Sequence, residues 1–148
     1  MSVPKRLRIL IADDHPVVRE GLAALINRQP DMKVVAEAGD GCEAVEQFRQ
    51  QRPDVALIDL RMPEMDGVNA ILAIRQHFPD ARLVALTTFD NNQDVYRALK
   101  GGAKCCVLKG APSQQLLESI RTVYEGKSHL APALAAKLAE GTLQTEFS

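Results

Sequence analysis

The stretch PDVALIDLRMPEMDG, residues 53–67, contains the pattern from which the fold can be predicted. Its segment Asp54–Ile58 is a short, mostly apolar run that does not alternate between polar and apolar residues. Such a run is typical of a strand that is covered on both faces of a sheet. Pro53 precedes it, and because proline cannot continue a helix, it marks a helix exit. Asp59 follows directly, so the sequence predicts a buried strand with a carboxyl group at its end.

Four more runs of the same kind occur along the chain. They are Leu7–Ala12, Lys33–Ala38, Arg82–Leu86 and Lys104–Leu108. The segments between them have helical spacing of apolar residues, as in Val18, Leu22, Leu25 and Ile26. Strands and helices that alternate with short connections predict an α/β fold. We therefore expect a doubly wound, parallel, five-stranded sheet with helices on both faces.

Composition places this sheet in a single globular domain. The chain has 148 residues, of which 46% are hydrophobic and 25% are charged. Its 18 basic and 19 acidic residues give a net charge of −1, which disfavours nucleic-acid or membrane-surface binding by this chain alone. Three cysteines, none in a CxxC pair, favour a reducing compartment. The N-terminal apolar run is too short for a signal peptide or a membrane span, so a cytoplasmic location is predicted.

Polar side chains follow four of the five predicted strands. They are Asp13-Asp14, Asp59, Thr87-Thr88 and Lys109. Ligands of an open parallel sheet bind outside the carboxyl ends of its strands, so these groups are expected at one edge. Carboxylates about 4 Å apart repel by roughly 4 kcal/mol per pair at an effective dielectric constant of about 20. Hard oxygen ligands of this kind favour magnesium, and the set suits phosphoryl transfer to a carboxylate, with Lys109 and Thr87 as donors to the phosphoryl oxygens.

These residues lie in motifs that resemble the response-regulator receiver family. The motifs are ILIADDHP at 9–16, DLRMPEMDG at 59–67, LTTFD at 86–90 and LK at 108–109. The resemblance covers about residues 7–126 and is strongest to the NarL/FixJ (LuxR-type) subfamily of bacterial two-component systems. It implies a flavodoxin-like (βα)5 fold with strand order 2-1-3-4-5.

The resemblance also implies a role for each site residue. Asp59 would be the phosphoacceptor. Magnesium would be held by Asp13, Asp14, Asp59 and the backbone carbonyl of Arg61. The phosphoryl-binding and switch residues would be Thr87, Thr88 and Lys109. Two positions depart from the family pattern. Cys106 occupies the place of the aromatic residue that usually rotates inward on activation, and Gly110 follows Lys109 where many receivers have a cis proline.

As a family member, the chain would be a signalling domain and not an enzyme, catalysing only its own phosphorylation and dephosphorylation. Its expected partners are a sensor histidine kinase and, after phosphorylation, a second copy of the chain. Residues 5–126 would form the receiver domain, and 127–148 a linker with a short helix. DNA would be bound only through an output domain that this chain lacks, whether it is a fragment of a transcription regulator or a stand-alone receiver.

Two other classes of protein compete with this interpretation. Residues 39–44, GDGCEA, match the dinucleotide-binding pattern G-x-G-x-x-A, and Asp59 lies at the spacing of a ribose-binding acid. That pattern falls on the second predicted strand, however, and leaves Lys109 unexplained. A haloacid-dehalogenase-type phosphatase would also use an aspartyl nucleophile, but Arg61 stands where its second aspartate would be. Tight NAD binding or turnover of phosphate esters would favour these alternatives.

Overall fold

Strands and helices alternate along the computed structural model, which describes residues 6–88, 92–126 and 129–130. The strands are β1 (Leu7–Ala12), β2 (Met32–Ala38), β3 (Val55–Asp59), β4 (Leu83–Thr87), β5 (Cys105–Leu108) and β6 (His129–Leu130). The helices are α1 (Pro16–Asn27), α2 (Gly41–Gln51), α3 (Gly67–His77), α4 (Asn92–Gly101) and α5 (Ser113–Tyr124).

The strands form one parallel sheet in the order β2-β1-β3-β4-β5-β6. Its first five members confirm the predicted doubly wound fold with strand order 2-1-3-4-5. The sequence did not predict β6, a two-residue strand that pairs with Cys105 and Cys106 at the edge of the sheet. The helix predicted within 127–148 lies outside the described residues, and the domain boundaries stay predictions.

Two predicted strands end one residue later than expected. Asp59 is the last residue of β3 and Thr87 the last residue of β4, so both belong to the ladder instead of following it. Asp59 is aligned with Leu86, and Thr87 is aligned with Leu108. The register of three adjacent strands therefore positions the predicted site residues relative to one another.

The sheet separates two hydrophobic cores. Alternate side chains of a strand point to opposite faces, and in β3 all five residues are buried. Ala56 and Ile58 belong to the core beneath α2, α3 and α4, whereas Val55 and Leu57 belong to the core beneath α1 and α5. Each fully buried large side chain contributes roughly 1.5–3 kcal/mol. Burial on both faces explains why this strand is continuous in apolar residues.

Helix starts near the site follow from local side-chain chemistry. The carboxylate of Asp40 accepts a hydrogen bond from the Glu43 amide at 2.7 Å, and that of Asp66 accepts one from the Asn69 amide at 2.8 Å. A Cβ at Gly41 would collide with the backbone carbonyl of Met65. Helix capping and close packing thus account for Asp40 and Gly41 of the dinucleotide-like pattern without any nucleotide.

Gly67 packs closely against the backbone of Asp59 and Leu60. A Cβ at this position would collide with the carbonyl oxygen of Asp59 and lie 2.6 Å from the Cα of Leu60. We expect Gly67→Ala to lower the free energy of unfolding by about 1–3 kcal/mol, because backbone must shift to relieve the overlap. Urea denaturation measures this change.

Gly21 is the matched control. It lies within α1, and nothing would come within 4 Å of a Cβ there. Gly21→Ala is expected to raise the free energy of unfolding by about 0.5–1 kcal/mol, because alanine loses less backbone entropy in a helix. Equal stability of the two variants would contradict the packing argument.

Candidate functional site

Asp59 lies at the centre of the site, at the carboxyl end of β3. The residue is 2% exposed, and both oxygens of its carboxylate are hydrogen-bonded. Oδ1 accepts from the backbone N–H of Arg61 at 3.2 Å, and Oδ2 accepts from Nζ of Lys109 at 2.8 Å. The backbone is held by the N–H of Leu60, which donates to the carbonyl of Leu86. The carboxylate therefore has a fixed orientation towards the edge of the sheet.

Lys109 connects two of the predicted acids. Besides its hydrogen bond to Asp59, its Nζ lies 3.3 Å from Oδ2 of Asp13. The backbone N–H of Lys109 donates to the carbonyl of Thr87 at 2.8 Å, which fixes the start of this side chain at the end of β5. One ammonium group thus partly neutralises two buried carboxylates from β3 and from the end of β1.

The Asp13-Asp14 pair is only partly satisfied. Asp13 is fully buried, and its Oδ1 accepts a hydrogen bond from the backbone N–H of His15 at 2.8 Å. Asp13 Oδ2 and Asp14 Oδ1 are also buried and accept no well-oriented hydrogen bond from the described residues, although Nζ of Lys109 lies 3.3 Å from the first and Nδ1 of His15 lies 3.1 Å from the second. Buried oxygens of this kind are costly unless a cation or water compensates them.

Four residues could hold a metal ion here. One ligand atom from each of Asp13, Asp14, His15 and Asp59 can be chosen so that all lie within 4.8 Å of one another. The acidic oxygens fit the oxygen ligands that magnesium prefers. The predicted magnesium site is therefore compatible with the side chains that the structure brings together.

Burial dominates the titration of Asp59. It raises the pKa of this carboxyl above its ordinary value, although the hydrogen bonds from Lys109 and from the Arg61 backbone act in the opposite direction. Neighbouring Asp13 raises the pKa further. For Lys109, burial alone would lower the pKa, but the hydrogen bond from its ammonium to Asp59 and the charges of Asp59 and Asp13 reverse this, so its pKa is raised. Lys109 is thus a cation at neutral pH.

The predicted switch residues lie at the same edge. Thr87 is 1% exposed, and its hydroxyl donates to the backbone carbonyl of Thr88 at 3.3 Å. The hydroxyl is therefore already engaged within its own loop. The side chain of Thr88 is exposed. The structure places both residues beside Lys109 in the β4–β5 region, and their phosphoryl-binding role stays a prediction.

Cys106 is a core residue. It is fully buried on the side of the sheet covered by α4, in the same core as Val95 and Ala98. Burial raises the pKa of the Cys106 thiol far above its ordinary value, and it raises that of Cys105 to about 11. Both thiols are therefore protonated at neutral pH. Burial and a raised thiol pKa are typical of cysteines that pack as small hydrophobic residues.

Sequence reasoning missed two arginines that support the site. Arg19 donates from Nη1 to the backbone carbonyl of Asp13 at 2.6 Å, while its Nε lies 3.2 Å from Oε1 of Glu37. Arg61, predicted only for its carbonyl, also has its Nε 3.9 Å from Oδ2 of Asp94 in α4. Contacts to a backbone carbonyl or across a loop leave no spacing pattern, so the sequence offered no clear signal for either.

Comparison with known proteins identifies the class. Residues 9–121 match the model of the response regulator receiver domain. The chain is 43% identical over 133 residues to the oxygen regulatory protein NreC of Staphylococcus epidermidis, covering 89% of this chain and 61% of NreC. The chain therefore belongs to the response regulator receiver family, as its motifs predicted.

Solved structures show which receiver domains the chain resembles in fold. A LuxR-family two-component response regulator from Aurantimonas sp. SI85-9A1 is 35% identical with a TM-score of 0.86, covering 92% of this chain and 97% of that one. The isolated receiver domain of RcsB from Salmonella enterica serovar Typhimurium, solved with the phosphomimetic BeF3−, is 26% identical with a TM-score of 0.82, covering 90% and 99%. The chain is thus a receiver domain of the NreC, NarL and LuxR type. It spans about three fifths of the length of the NreC proteins that it matches.

One further finding concerns the membrane. Among the helices in the described part of the chain, none combines the length and the apolar character that a bilayer crossing requires.

The raised pKa of Asp59 predicts an unusual effect of pH on stability. A carboxyl group whose pKa is higher in the folded chain stabilises the fold below its ordinary pKa of 3.8, and this contribution is lost as the pH rises through the folded value. Relative to Asp59→Asn, the native chain should therefore lose unfolding free energy over that window. Thermal unfolding in magnesium-free buffer at several pH values measures the difference.

Asp31 provides a control of opposite sign. Its hydrogen bond from Arg121 lowers the pKa of Asp31, so the native chain should lose stability relative to Asp31→Asn as the pH falls below 3.8. The same direction of change in both variants would contradict the electrostatic assignment.

Proposed function

We propose that Asp59 accepts a phosphoryl group from a phosphohistidine of a sensor histidine kinase or from a small phosphodonor. The observation that carries the proposal is the Lys109 ammonium, which lies between the buried carboxylates of Asp59 and Asp13. A carboxylate held beside a cation, at the open end of a parallel sheet, is arranged for attack on an electrophilic phosphorus.

The reaction is a substitution at phosphorus. An oxygen of Asp59 forms a bond to phosphorus while the bond from phosphorus to the donor nitrogen breaks, and the released imidazole takes up a proton from solvent. The product is an acyl phosphate. Such transfers depend mainly on positioning and on stabilising the charge of the phosphoryl oxygens. Lys109 would shift its hydrogen bond from Asp59 to a phosphoryl oxygen.

Magnesium fits the same site. It would be held by Asp13, Asp14, Asp59 and the backbone carbonyl of Arg61, and it would neutralise carboxylate and phosphoryl charge. The excess of three carboxylates over the single Lys109 ammonium supports this assignment. Asp13 would act through a bound water. Arg19 would keep the backbone of this loop in place through the Asp13 carbonyl.

Phosphorylation would then change a surface. The hydroxyl of Thr87, which now donates to the Thr88 carbonyl, would turn to a phosphoryl oxygen and move the following loop towards the site. The movement would shift the equilibrium between two conformations of the face formed by α4, β5 and α5. Because Cys106 has no ring to rotate, this coupling would depend on Thr87, Thr88 and the backbone.

The biological role follows from this switch. We assign residues 5–126 to the receiver and 127–148 to a linker, in a cytoplasmic signalling protein that modifies only itself and is not an enzyme for other substrates. The altered surface would favour a homodimer. Transcription regulation and DNA binding would be carried out by an output domain and not by the receiver itself.

Intact-mass spectrometry after treatment with acetyl phosphate tests the proposal. We expect the mass of one phosphoryl group to be added in the presence of magnesium. In chelator we expect no addition, because without the metal ion the carboxylate cluster repels the incoming anion. Asp59→Asn should remain unmodified. Asp80→Asn is the control, since Asp80 is exposed and lies before β4, at the other end of the strand from Thr87. A label that persists in Asp59→Asn, or that forms equally well in chelator, would exclude Asp59 as the acceptor.

Sedimentation velocity with beryllium fluoride tests the change of surface. The native chain should shift from monomer to dimer when the mimic and magnesium are present together, because the mimic occupies the phosphoryl position. Asp59→Asn should stay monomeric under the same conditions. An unchanged distribution for the native chain, with the mimic demonstrably bound, would favour a different partner as the receptor of the signal.

A further inference from the structure

The side chain of His15 is directed at the acidic cluster. Its Nδ1 lies 3.1 Å from Oδ1 of Asp13 and 3.1 Å from Oδ1 of Asp14. The side chain of His15 is 62% exposed, whereas that of Asp13 is fully buried. A histidine in this position therefore offers a nitrogen atom to whatever cation the two carboxylates bind.

The position of His15 in its helix supports a role for the ring. His15 is the N-cap residue of α1, with extended backbone (φ −98°, ψ 108°), where short polar side chains usually accept a hydrogen bond from the helix. Its side chain makes no such capping bond, and Pro16 follows it in the first turn. The ring is thus not used to start the helix and faces the carboxylates instead.

The distances match those between neighbouring metal ligands. Around a six-coordinate ion with bonds of about 2.1 Å, adjacent ligand atoms lie about 3.0 Å apart. The two separations of 3.1 Å from His15 Nδ1 agree with this spacing. A hydrogen bond donated by Nδ1 to either oxygen would have a similar separation, and the experiment below distinguishes the two arrangements.

The cluster also offers the ion ligand atoms that are independent of His15. One carboxylate oxygen from each of Asp13, Asp14 and Asp59 can be chosen so that all lie within 4.8 Å of one another. Carboxylate oxygens suit magnesium, whereas a mixed set of oxygen and imidazole nitrogen suits first-row transition ions. One nitrogen added to three carboxylates therefore changes the preference of the site.

We propose that His15 is a nitrogen ligand of the metal in this acidic cluster and makes the cluster prefer Mn2+ over Mg2+. The inference rests on the magnesium site in the proposed function and adds a ligand that sets the choice of ion. Imidazole binds the transition ion more strongly than it binds magnesium, so the nitrogen contributes to one affinity much more than to the other.

Pulsed electron paramagnetic resonance of the Mn2+-loaded chain tests this ligand directly. We expect nitrogen modulation in the electron spin echo of the native chain and its loss in His15→Gln. Titration calorimetry should show that His15→Gln weakens Mn2+ binding by about tenfold or more while changing Mg2+ binding by much less. Glutamine keeps a polar side chain of similar reach but offers oxygen, which suits magnesium.

The controls separate the possible failures. His77→Gln removes an exposed histidine near the end of α3 and should leave both affinities and the nitrogen signal unchanged. Mn2+ binding without nitrogen modulation in the native chain, or with modulation that persists in His15→Gln, would overturn the role of His15 and leave the magnesium site intact. Failure of the native chain to bind either ion would overturn both.

Discussion

The contact between the Lys109 ammonium and the carboxylates of Asp59 and Asp13 is the interaction on which the rest of the site depends. Carboxylates about 4 Å apart repel by roughly 4 kcal/mol at an effective dielectric constant of about 20, so they can remain buried together only beside positive charge. One lysine cannot neutralise three acids, and the remaining negative charge creates the need for a metal ion. Repulsion that would weaken an ordinary core would thus favour binding of a metal ion, which would in turn offset the negative charge that faces an incoming phosphoryl group.

Parallel strand pairing is what brings these charges together. The acids and the lysine are distant in sequence, but each lies at or just after the carboxyl end of β1, β3 or β5. The ladder between β3, β4 and β5 fixes their relative positions, and the apolar side chains on both faces of the sheet make that ladder rigid. The fold therefore holds like charges closer together than they would lie in solution.

Much of this arrangement could be predicted because buried parallel strands are continuous in apolar residues. The position at which each strand ends can therefore be located in the sequence. Asp13, Asp59 and Lys109 were predicted on that basis, and the structure brings them together. Other features depend on side-chain rotamers and tertiary packing, which leave no periodic signal. The contact from Arg19 to the Asp13 carbonyl and the hydrogen bond from Thr87 to the Thr88 carbonyl belong to this group, as does the pairing of β6. The residues of the site could consequently be predicted from sequence better than their coupling to the α4–β5–α5 face. On that face Cys106 is a small buried thiol without a ring to rotate.

The most direct test of the central claim is chemical location of the acyl phosphate. Borohydride reduces an acyl phosphate, but not a free carboxylate, to the alcohol, and so converts the phosphorylated aspartate into homoserine, which tandem mass spectrometry of peptides can place at a single residue. We expect homoserine at position 59 alone, in chains treated with phosphodonor and magnesium. Homoserine at Asp13 or Asp14 with Asp59 unmodified would contradict it.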